Sequence, residues 1–67
     1  MKKRETAQDR MIDRAITEAH ARNCSGWQIN IMDISKVFRA GRAAYFVGGL
    51  PALEAAVIAT AAELRQN

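Results

Sequence analysis

Apolar residues recur early in the chain at Met11, Ile12, Ala15, Ile16 and Ala19, the spacing of one helix face, while Asp9, Arg10, Asp13, Arg14 and Glu18 fill the other positions. The pattern predicts a helix over about 7–22. Thr6 is placed to cap it, and Asp9 three residues on gives a capping box with Asp in place of the usual Glu or Gln. The run "NCSG" ends it. A second set of apolar positions, Ile34, Val37, Phe38, Gly41 and Tyr45, predicts a helix over about 34–47 that starts at Asp33 and stops at Gly48-Gly49. Pro51 then suits the first turn of a third helix, about 51–65. That last segment carries Leu53, Ala56, Val57, Ala61 and Leu64 on one side and Ala55, Ile58, Ala59 and Ala62 on much of the other. A helix apolar nearly all round is normally covered from more than one direction.

Between the first two helices, "GWQINIMD" (26–33) alternates instead: Trp27, Ile29 and Ile31 are apolar, Gln28 and Asn30 polar. Period two predicts an extended segment or strand over 27–32. Two arrangements fit it equally. Either it is a connector whose apolar residues lid the core, or it pairs with the same strand of a second copy, because a lone strand leaves a row of unpaired backbone groups. The expected fold is therefore mainly α, three helices with one short extended segment or strand, in a dimer. It forms a single small domain over 1–67 with a basic N-terminal arm at 1–5.

Size sharpens this picture. A chain of 67 residues buries only about 60% of its unfolded surface, and domains this small usually need disulfides, a metal or oligomerisation. The single cysteine, Cys24, rules out an internal disulfide and fits a reducing, cytoplasmic location. "MKKRETAQDR" is basic but lacks the apolar core of a signal peptide. The longest uninterrupted apolar run, Ala55 to Ala62 between Glu54 and Glu63, is far below the roughly 20 residues of a spanning helix, so no membrane partner is expected.

The formal charge is +3, and its placement matters more than its size. Lys2, Lys3 and Arg4 form the N-terminal arm, and Lys36, Arg39 and Arg42 fall in an acid-free stretch from Ile34 to Gly49. Such concentrations suit a polyanion. Catalytic chemistry finds little support. His20 and Cys24 are four apart, but two ligands are not a zinc site and no second pair exists. A nucleophile at Cys24 or Ser25 with His20 as base lacks an orienting group and a pocket. Gly48-Gly49 carries neither of the phosphate-binding glycine motifs. No enzyme activity, metal or cofactor is expected.

Strand, basic helix, glycine turn and third helix, spanning Gly26 to Asn67, together resemble the ribbon-helix-helix family of bacterial and phage DNA-binding regulators. The resemblance implies a dimer whose two-stranded ribbon enters the major groove. Gln28, Asn30 and Met32 would face outward, and Gln and Asn suit bidentate contact with adenine. It also implies a helix N-terminus at Leu50 to Leu53 against the phosphate backbone. The expected nucleic-acid-binding residues are then Gln28, Asn30, Lys36, Arg39 and Arg42, with Lys2, Lys3 and Arg4, on double-stranded DNA. The expected dimer interface is Ile29, Ile31, Ala55, Ile58, Ala59 and Ala62. A helix-turn-helix reading of "DISKVFRAGRAAYF" fits less well, because the apolar spacing runs uninterrupted across the required turn. The alternative from another class is a small protein-interaction module, an inhibitor or adaptor of the kind carried by phage and mobile elements, that docks a protein partner through its apolar third helix.

Overall fold

Thr6 opens the first element by exchanging two hydrogen bonds with Asp9: the Asp9 N–H donates to Thr6 Oγ1 at 3.0 Å and the Thr6 N–H to Asp9 Oδ2 at 3.2 Å. This capping box satisfies two of the N–H groups that any helix start leaves without an internal partner. Helix α1 runs Ala7–Asn23. The computed structural model describes residues 6–65. Ile12, Ile16 and Ala19 form the buried face of α1, and Met11 at its margin remains 40% exposed.

Helix α2 runs Ile34–Leu64, 31 residues, with non-helical torsions inside it at Gly48 (φ −138°, ψ 15°) and Gly49 (φ 77°, ψ −158°). Gly49 lies in a backbone region essentially closed to residues with a Cβ. The two arms on either side fold back on each other there. A Cβ placed on Gly41 would meet Val57 Cγ2 at 3.1 Å, whereas residues sixteen apart in an unbroken helix are about 24 Å apart. Pro51, which has no N–H, stands in the first turn after the bend, where that donor would have had no partner.

The expected fold, three helices with a short strand, is corrected on both counts. The described residues form two α-helices, the second interrupted by the non-helical torsions of Gly48 and Gly49, and they contain no strand. Gln28 alone holds an isolated bridge position. The alternation of 27–32 is broken at Asn30, whose Oδ1 accepts the Met32 N–H at 2.9 Å while its carbonyl accepts the Asp33 N–H at 2.8 Å. An Asn side chain that satisfies the backbone two residues on makes a turn. A short 3-10 helix, Ile31–Asp33, follows and leads directly into α2.

One cluster forms the core: Ile12, Ile16 and Ala19 of α1, Cys24, and Val37, Leu53, Val57 and Ala61 of α2, each at most 1% exposed. Trp27 and Ile29 pack against this cluster from the connector. Ile31, expected on the same inward row, is 83% exposed, because the turn at Asn30 has already redirected the chain. Gly41 sits where α1 and both arms meet. A Cβ there would lie 2.9 Å from Ile16 Cγ1, so the absence of a side chain sets how closely the three segments approach.

Candidate interaction surface

The basic residues of the first arm of α2 are distributed differently in space than in sequence. Arg42 donates from Nη2 to Asp9 Oδ1 and lies 3.9 Å from Asp13 through Nη1. A stretch acid-free in sequence thus borrows two carboxylates from α1. Lys36 pairs with Asp33 at 3.4 Å on the preceding turn. Arg39 is exposed, and no ion pair is found for it among the described residues. Gln28 and Asn30 are both exposed, but the Asn30 oxygen is already used in its local turn. Lys2, Lys3 and Arg4 lie outside the described residues. Among the described residues, no hydrogen bond or ion pair joins Gln28 or Asn30 to Lys36, Arg39 or Arg42.

The expected interface residues separate into two groups. Ile29 is half-buried on its own core and Ile31 stands out from the connector. Ala55, Ala59 and Ala62 are exposed along one row of the second arm, with Ile58 half-buried beside them. The most apolar part of α2 has a mean hydropathy of 1.5 over 18 residues, yet only 11% of that stretch is buried inside the chain. By length and composition alone α2 could cross a bilayer. Folded back at the glycines, it presents arms of roughly 14 and 15 residues, about 21 and 22 Å at 1.5 Å per residue, against a hydrocarbon core of about 30 Å.

Sequence reasoning read Gly48-Gly49 as a turn and passed over the apolar side chains around it. Val47 is 89%, Phe46 62% and Leu50 52% exposed, the largest such concentration outside Ile31-Met32. The available signal was the charge-free run "AAYFVGGLPAL", Ala43 to Leu53, which continues across the glycines. Phe46 packs edge-on against Tyr45, with ring centroids 5.4 Å apart. Beside the bend a groove of about 310 Å³ opens between α1 and the start of the second arm. Its floor is Ala15, Ala19, Leu50, Pro51 and Leu53, and its rim Glu18, Arg22 and Glu54.

Rim charges are neutralised locally. Glu54 accepts from Asn23 Nδ2 at 2.9 Å and from Arg22 Nη2 at 3.1 Å, and these bonds, Asn23 first and then Arg22, hold its pKa below the ordinary 4.5. Glu18 lies 3.8 Å from Arg14. Elsewhere, Cys24 is buried with its thiol pKa raised by desolvation. His20, one turn earlier, has a buried Nε2 with no hydrogen-bond partner among the described residues. No group of three or more His, Cys, Asp or Glu side chains is placed to hold a metal ion among the described residues.

No protein-family model matches the chain, and no curated protein or solved structure matches it either.

Proposed function

We propose that the chain is a non-enzymatic protein-interaction module whose second α2 arm receives an apolar helix of a partner protein. One observation carries the reading: in the most apolar 18-residue stretch of α2, only 11% of the residues are fully buried by the chain itself. The exposed row Ala55, Ala59 and Ala62 suits helix docking, because alanine lets a second backbone come to the short end of the 8–10 Å packing range. An amphipathic helix laid along such a face is a standard recognition mode. The DNA-binding reading now draws on less. Of its basic triad, Arg42 is held by Asp9 and Asp13 and Lys36 by Asp33, and the ribbon that its base-readers require has no strand among the described residues.

Photo-crosslinking in cells tests this reading, with the reactive group placed at Ala59 and, as a control, at exposed Thr17 on α1. A discrete protein adduct is expected from position 59 alone, and it should disappear when Ala55→Glu is added. Equal, diffuse labelling from both positions would overturn the proposal. In parallel, a fluorescence-anisotropy titration with duplex DNA at low salt should give no saturable binding. Binding that weakens steeply with added salt, as counterion release requires, and that falls with Arg39→Ala would return the weight to DNA.

A further inference from the structure

We infer that two copies of the chain associate about a two-fold axis at the bend of α2, Phe46 and Val47 of each copy entering the groove beside Leu50 of the other. A two-fold interface must be self-complementary, with projection and recess on the same patch. The bend meets that condition. Phe46 and Val47 project at 62% and 89% exposure, and the 310 Å³ groove shares Leu50 with the bend, three residues from Val47. Its apolar floor has room for a bulky side chain.

Charge decides between possible occupants. A two-fold axis brings each group close to its own copy, so an uncompensated charge on the patch would repel itself. Here none is provided by Ala43 to Leu53, and the rim charges are paired within the chain as Arg22–Glu54 and Arg14–Glu18. An anionic bilayer would find no free cation beside the apolar tip, because Arg14 and Arg22 are already engaged by Glu18 and Glu54. A partner recognised by charge would find no net charge there. A second copy matches the patch on shape and on neutrality, and a chain this small gains the burial that it lacks alone.

This surface is distinct from the outer alanine row, so the two proposals fail separately. Sedimentation velocity from micromolar to millimolar concentration should show wild-type protein passing from monomer to dimer. Val47→Asp should stay monomeric with an unchanged circular dichroism spectrum, since Val47 contributes almost nothing to the monomer core, and Ala59→Glu should dimerise normally. Mixing Val47→Cys protein with Ala15→Cys protein under mild oxidation should give the mixed disulfide dimer, whereas Val47→Cys with Gln8→Cys should not. A monomer at every concentration overturns the inference, as does a dimer that survives Val47→Asp. Monomeric protein that co-sediments with phosphatidylglycerol vesicles through Val47 would also overturn it and assign the bend to lipid.

Discussion

Gly41 shows how one absent side chain sets the packing of a small core. Alanine there gains about 1 kcal/mol in helix propensity, but its Cβ would lie 2.9 Å from Ile16 Cγ1 and 3.1 Å from Val57 Cγ2. Both neighbours are fully buried and have nowhere to swing, so overpacking, typically about 1–3 kcal/mol, outweighs propensity. Gly41→Ala should lower stability by about 1 kcal/mol in urea unfolding, and Gly41→Val by considerably more. Glu54 makes a prediction of the opposite kind. Its folded pKa is depressed, so its contribution is fully present above the ordinary 4.5 and is lost as the pH falls through the lower folded value. Thermal midpoints measured from pH 6 downward should therefore fall less steeply for Glu54→Gln than for the wild type. At this scale the sequence was informative about local partners such as Thr6 and Asp9. It was silent about distant ones, because the pairing of Arg42 with Asp9 joins residues 33 positions apart.

At the scale of elements, periodicity identified the inward faces of both helices, and the glycine pair marked where helical torsions fail. What it did not carry was how tightly the arms of α2 turn: Gly48 and Gly49, whose torsions are non-helical, absorb the reversal in two residues. The strand expected at 27–32 failed for a related reason. Alternating apolar and polar residues describe any extended segment lying on a core, and only the local bonding of Asn30, invisible to period counting, ends that alternation before Ile31. Gly49 then carries the reversal through its torsions. Gly49→Ala should cost about 1–3 kcal/mol even though the added methyl meets only Pro51 Cδ at 3.8 Å. Chemical denaturation compared with a sterically similar change at exposed Ala43 separates conformational strain from crowding.

At the scale of the molecule, a single cluster joins α1, the connector and both arms, so the parts should unfold together. Cys24 provides a check. Its thiol is 1% exposed and its pKa is raised, and thiolate is the reactive form. Labelling by a neutral thiol reagent under native conditions should be slow and should accelerate with urea along the same transition as the helical signal. Fast labelling in the native state would instead indicate separate opening of the connector. The other end of that connector is held differently: the Arg65 guanidinium lies 4.7 Å over the Trp27 ring, an attraction of cation and π face that joins the segment after α1 to the end of α2. Trp27 is the only tryptophan. The indole is thus an optical gauge built into the junction where the beginning and end of the fold meet, and its emission should register the separation of α2's last turn from the connector without any added label.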